Sequence, residues 1–269
     1  MSEMKSAPPR TGGRANDTLR DISVTRGFTS TPAGSVLWKQ GGTVVLCTAS
    51  VTAKVPEWFG QNKSGGWVTA DYVMLPGSTS QRKDWPRIGH TDPRGTEITR
   101  LIGRVLRAAV DLGKLGPHTI ALDCTVLQAD GGTRTAAICG GMVALRDALS
   151  RLPSELGMPR GDPSPGWIAS RAAYDPGRVL LEGVSAVSVG VIGGEVRLDL
   201  DYADDSIAEV DLNIAMTSGG RFIEIQGTAE EGGGGEVAGP TGFSRPELDA
   251  MLSLAEKGCR ELLAIQGRA

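Results

Sequence analysis

A chain of 269 residues with 40% hydrophobic side chains can bury a sizeable core, and its 28 basic against 31 acidic residues leave a formal net charge of -3. That balance excludes a generally basic nucleic-acid coat, so any site for a polyanion is a local patch. No window reaches the apolar length of a membrane span, and the N-terminus, with Glu3, Pro8, Pro9 and Arg10, lacks the apolar centre of a signal peptide.

Taken in order, residues 1–13 read as a flexible arm before one folded unit over residues 14–269, with Arg14 and Arg20 flanking its first ordered segment. Ile22-Ser23-Val24 alternates like a strand, and 35–39 with 43–51 form a hairpin around Gly41-Gly42. After a polar loop, 67–75 is a further strand closed by Pro76-Gly77, predicted to bring the sheet to four strands. Residues 78–95 lack apolar periodicity but carry Arg82, Lys83, Arg87 and Arg94 with Trp85 interleaved. Such a loop suits the phosphates of single-stranded RNA, with an aromatic on which a base can stack, although a merely solvated loop is the plainer reading. Ile98, Leu101, Ile102, Val105, Leu106, Ala109 and Val110 make one apolar stripe, which predicts a helix over 96–112 with Arg94 just before its start. The opposite row, Arg100, Arg104 and Arg107, reads as a solvated or subunit-facing surface.

The most informative stretch follows. An apolar strand over 119–127 runs into Asp130-Gly131-Gly132-Thr133-Arg134, after which Ile138, Met142, Leu145 and Leu149 recur at helical spacing until Pro153. Strand, glycine turn and helix start together leave backbone N–H groups at the positive end of a helix dipole, where an anion can approach. Thr133 and Arg134 add a hydroxyl and a guanidinium, so the stretch reads as a phosphate cradle; the alternative is that Asp130 and Thr133 only cap the helix. Residues 153–183 form a Pro- and Gly-rich loop, followed by strands over 184–192, 195–202, 209–216 and 221–225. A glycine-rich loop over 230–242 leads to Ser244 and Glu247, a capping box that opens a closing amphipathic helix ended by Gly267.

Within the second group of strands, Asp199, Asp201, Asp204, Asp205, Glu209 and Asp211 crowd together. Clustered carboxylates face water or hold a cation. In one extended strand the α-carbons of Asp205 and Asp211 would lie roughly 20 Å apart, so they share an ion only if the residues between them turn back. The cysteines, Cys47, Cys124, Cys139 and Cys259, sit singly in apolar patterns and read as buried thiols of a reducing compartment. His90 and His118 fall outside both chemical constellations, which disfavours a ribonuclease that activates RNA's own 2′-hydroxyl.

Gln128-Ala129-Asp130-Gly131-Gly132-Thr133-Arg134-Thr135 resembles the signature of the ribonuclease PH family, phosphorolytic 3′-to-5′ exoribonucleases that trim tRNA precursors. Gly66-Trp67-Val68-Thr69-Ala70-Asp71-Tyr72, Glu97-Ile98-Thr99-Arg100-Leu101-Ile102-Gly103-Arg104, Asp204-Asp205-Ser206 through Asp211-Leu212-Asn213, and Glu224-Ile225-Gln226-Gly227-Thr228 resemble further blocks in the family's order. The resemblance implies an α+β fold with a β-α-β-α arrangement shared with a domain of a small-subunit ribosomal protein. It also implies a cytoplasmic enzyme, a hexameric ring built as a trimer of dimers, and RNA, the 3′ end of a tRNA precursor, as partner. Inorganic phosphate would be the co-substrate, held by Arg94, Gly132, Thr133 and Arg134. Asp205 and Asp211 would flank the catalytic centre with Arg94 and hold Mg²⁺, while Arg82, Lys83 and Arg87 belong to the loop that contacts tRNA in the family. Phosphorolysis needs no protein nucleophile, because phosphate is itself the nucleophile.

The sequence departs from the family pattern in reading Thr125 where Asp-Cys-Asp-Val is usual, in Pro93-Arg94-Gly95 around the phosphate arginine, and in longer loops at 153–183 and 230–242. The alternative is a non-catalytic RNA-binding ring subunit; the joint presence of Arg94, Thr133, Arg134, Asp205 and Asp211 argues against it.

Overall fold

Alternation of apolar residues in the first part of the chain folds into a meander of β1 (Ile22–Arg26), β2 (Gly34–Gln40) and β3 (Thr43–Thr52). The computed structural model describes residues 7–59, 65–85, 92–155, 175–229 and 242–269. The next strand, β4 (Trp67–Met74), does not lie beside β3: β5 (Thr119–Gln128) inserts between them, giving the order β1-β2-β3-β5-β4. β5 is antiparallel to β3 and parallel to β4. Parallel neighbours need a crossover, and α1 (Pro93–Arg107) supplies it.

That helix begins earlier than its apolar stripe predicts. Asp92 accepts from the Arg94 N–H at 3.1 Å and Pro93 fills the first turn, so Arg94 and Gly95 lie inside α1. The glycine turn then feeds α2 (Thr133–Glu155), which runs two residues past the stop expected at Pro153. α2 packs on β2, β3 and β5 of the first sheet and on β6 (Val184–Ile192) of the second. The second sheet is antiparallel, in the order β7-β6-β8-β9, with β7 (Glu195–Leu198), β8 (Val210–Thr217) and β9 (Phe222–Ala229). β6 is buried along its whole length because α2 and the closing helix both pack on it.

Two short helices interrupt the strand pattern: α3 (Pro176–Val179), inside the loop predicted over 153–183, and α4 (Tyr202–Asp205). β7 therefore ends four residues before the predicted 202. Asp199 takes a left-handed φ of 55° and turns its carboxylate inward, and Asp201 then caps α4. The closing helix α5 (Arg245–Arg268) opens with the predicted capping box of Ser244 and Glu247.

One continuous hydrophobic core joins both sheets, with a small satellite of Ile192, Leu200 and Ala208 covered by Ala7. The arm predicted over residues 1–13 is docked in its described part, since Arg10 is buried against the second sheet and residues 11–13 form a 3-10 turn. All four cysteines are free and buried, as expected, and burial pushes the Cys259 thiol up to about 11. Most of the loops at 153–183 and 230–242 lies outside the described residues, as do Arg87 and His90.

Candidate active site

The glycine turn is a fitted part. Gly131 and Gly132 adopt φ of 71° and 62°, and a Cβ on Gly131 would meet the Leu200 carbonyl oxygen and the Asp201 carbonyl carbon at 2.6 Å. Its carbonyls are drawn backwards: the Arg20 guanidinium donates to the Asp130 carbonyl, and Thr43 Oγ1 donates to that of Gly131 at 2.6 Å. Asp130 does not cap α2. Its carboxylate accepts from the Gly42 and Tyr202 N–H groups, each at 3.3 Å, so it ties the β2–β3 hairpin and α4 to the turn. α2 starts at Thr133, and the first amides of such a helix have no intrahelical partner.

Two side chains at this start are aimed by distant elements. Tyr72 on β4 donates its hydroxyl to Thr133 Oγ1 at 2.8 Å, and burial raises the phenol's pKa although that bond and the nearby Arg94 and Arg134 oppose the shift. Arg134 Nη1 donates to Gln226 Oε1 at 2.9 Å and lies 3.8 Å from Glu97, while Gln226 Nε2 donates to Glu97 Oε1 at 2.6 Å. α1 and β9 thus hold the guanidinium that begins α2.

The acidic cluster divides in two. Asp199 is fully buried: Arg20 pairs with both its oxygens at 2.7 and 3.1 Å, and Gln40 donates to it at 2.8 Å. Burial alone would push the Asp199 carboxyl up, but the Arg20 charge and the hydrogen bonds outweigh it and the pKa is lowered. Asp204 is clasped by Arg10 at 2.8 Å and Arg197 at 2.7 Å, and Asp201 accepts from the Asp204 N–H at 2.9 Å. Asp205 and Asp211 belong to neither clasp. The strand pattern breaks at α4, and the two side chains, from α4 and β8, line one cavity of about 580 Å³.

That cavity also receives Lys83, Arg94, Gly132, Thr133 and Arg134. Arg94, the 132–134 turn, Asp205 and Asp211, the predicted phosphate and metal residues, therefore line one cavity although they come from four separate parts of the chain. Arg82 does not line it: the side chain is exposed, 4.0 Å from Asp84. Nor does Thr125, on the β5 face away from the buried Cys124, so the carboxylate missing there leaves no gap in the lining. His118 is buried elsewhere, its Nδ1 3.0 Å from the Leu115 carbonyl oxygen, and burial lowers its pKa.

Sequence reasoning missed Arg20, Tyr72, Glu97, Gln226 and Tyr202 as parts of the site. Arg20 and Tyr72 act through backbone and hydroxyl groups far away in sequence and leave no local pattern; the Asp92-Pro93 pair was the available signal that Arg94 opens a helix. Asp205 and Asp211 offer the cavity carboxylate oxygens, the donor type a hard divalent cation takes, although among the described residues no group of three or more His, Cys, Asp or Glu gathers.

Two stretches match family descriptions: 18–150 the 3′ exoribonuclease family, domain 1, and 183–258 the same family, domain 2. The fold agrees. Rrp46 of rice (Oryza sativa) superposes with a TM-score of 0.70 at 17% identity, over 96% of this chain and 98% of its own. The Archaeoglobus fulgidus exosome with RNA bound to the active site gives 0.70 at 19% identity, over 95% and 91%. The protein is thus of the 3′ exoribonuclease class. Curated relatives narrow it further: ribonuclease PH of Corynebacterium glutamicum (strain R) is 51% identical over 97% of this chain and 96% of its own, and that of Rhodopirellula baltica 49% over 94% of each. The chain belongs to the ribonuclease PH family.

Proposed function

We propose that the cavity holds inorganic phosphate against Thr133, Arg134, Arg94 and the first amides of α2, beside the 3′-terminal phosphodiester of a tRNA precursor. Phosphorolytic 3′-to-5′ exoribonuclease activity on tRNA, with phosphate as co-substrate, comes with membership of the family; the residue roles are our reading of the cavity. One observation carries it: three cationic side chains, a helix start and two carboxylates line a single cavity.

A phosphate oxygen attacks the terminal phosphorus, a diphosphate bond forms, and the bond to the 3′-oxygen of the preceding nucleotide breaks, that oxygen taking up a proton. The products are a nucleoside diphosphate and RNA one residue shorter. Thr133 and Arg134 orient the nucleophile, the Tyr72, Gln226 and Glu97 contacts keep them aimed, and Arg94 neutralises charge between two phosphates. Asp205 and Asp211 would hold Mg²⁺, which when bound offsets charge on the attacked phosphate and the leaving oxygen. Lys83 at the cavity, with Arg82 and Arg87, guides the RNA backbone. We further propose a cytoplasmic hexamer, a trimer of dimers, which gathers small basic patches of a net acidic chain.

The test is release of nucleoside diphosphates from a tRNA bearing extra 3′ residues, with and without phosphate. Release only with phosphate is expected; release of monophosphates without it would mean hydrolysis and overturn the reading.

A further inference from the structure

We propose that Tyr202 is a stacking platform for the base of the 3′-terminal nucleotide, a contact that rests on the phosphorolytic reading of the cavity and adds the grip on the residue being removed. Several large apolar side chains are left exposed among the described residues, including Trp58, Trp85 and Phe222, but of that set only Tyr202, 67% exposed, lines the cavity.

The ring stands on a rigid mount. Its own N–H donates to Asp130 Oδ1 at 3.3 Å, which ties it to the glycine turn, and its carbonyl accepts from the Ser206 N–H at 3.0 Å. Two residues on, Asp204 is gripped from the opposite side by Arg10 and Arg197. Backbone held and ring released is the arrangement a stacking surface needs, because little further ordering is required when a base arrives. Tyr202 precedes Asp205 by three residues, or about 5 Å of helix rise. The terminal base lies one sugar away from the phosphate under attack, which is the same scale. An exonuclease that removes whatever nucleotide comes last must hold all four bases, and stacking is a sequence-tolerant grip because every base has a π-face.

The full-length chain is bound, without phosphate, to a short single-stranded RNA carrying 2-aminopurine at its 3′ terminus, whose fluorescence falls when the base stacks. Quenching is expected with the wild type, Tyr202→Phe and Tyr202→Trp, and is lost with Tyr202→Ala and Tyr202→Leu; the probe one position inward does not respond to these changes. In phosphorolysis, Tyr202→Ala raises the KM for RNA between about fivefold and a hundredfold, with the KM for phosphate unchanged. Terminal quenching that survives in Tyr202→Ala overturns the proposal, as does Tyr202→Leu performing as well as Tyr202→Phe. A Tyr202→Ala chain that changes its mass in solution while keeping normal quenching assigns the ring to a subunit contact instead. Tyr202-dependent quenching without phosphate-dependent release would keep the platform and remove the phosphorolytic reading, so the two fail separately.

Discussion

Asp204 and Asp205 are neighbours in one turn of helix, yet their surroundings are opposite. Asp204 is buried between two arginines, and with Asp199 and Asp201 it forms part of the frame; Asp205 is exposed and, with Asp211, lines the cavity. A single helical turn is enough to send adjacent carboxylates to different sides of the backbone. The cluster's charge is therefore divided between holding the site and, on our reading, serving as the site. Buried acids with arginine partners gain nothing from a cation, whereas those beside an anion cradle do.

The division can be broken from either side. The largest effect belongs to the frame: Asp199→Ala leaves Arg20 buried without its carboxylate and should cost about 3–5 kcal/mol, read as a lowered midpoint in urea unfolding. Next, Arg134→Ala should lower kcat at least about a hundredfold with the unfolding midpoint little changed and RNA affinity mostly retained. Equal loss of rate and affinity would move Arg134 from phosphate to RNA. Asp211→Asn should cost a similar factor and steepen the Mg²⁺ requirement; normal turnover without added Mg²⁺ would remove the proposed ion.

Acid provides a gentler separation. The folded-state pKa values of Asp199 and Asp201 lie below their ordinary range, burial being outweighed by Arg20 for the first and chiefly by the Asp204 N–H for the second. Lowered carboxyl values give stability that is complete above about pH 5, where the unfolded chain is already ionised, and that drains away as pH falls further toward the folded values. Thermal melts should thus hold steady as to these groups from pH 7 to about 5 and fall below about 4. The smallest change is expected at Arg82, exposed and outside the cavity: Arg82→Ala should raise the KM for tRNA a few-fold and flatten its salt dependence, leaving kcat intact.

Much of this was legible in the sequence, and the part that was not has a common cause. The hairpins, the capping box at Ser244 and the strand, glycine turn and helix at Asp130 are local events, written in neighbouring residues. The insertion of β5 between β3 and β4 is not local, since nothing in 67–74 says which strand will flank it. The same holds for Arg20 and Asp199, 179 positions apart, which together set both the end of β7 and the posture of the turn. Read alone, 195–202 alternates well enough for a strand; where it bends away, Asp199 meets the buried Arg20 guanidinium and Asp201 caps α4. Asp205 and Asp211 line the same cavity only because the chain bends there, so their spacing in sequence could state the condition for sharing a cavity but not its outcome.

Arg10 carries a consequence for how the molecule is made. Its guanidinium partner, Asp204, lies 194 positions downstream. During synthesis the early meander can pair as soon as it emerges, but this arginine has no carboxylate to meet until the second sheet has left the ribosome. The residues of β1–β3 are therefore made long before those that complete the cavity.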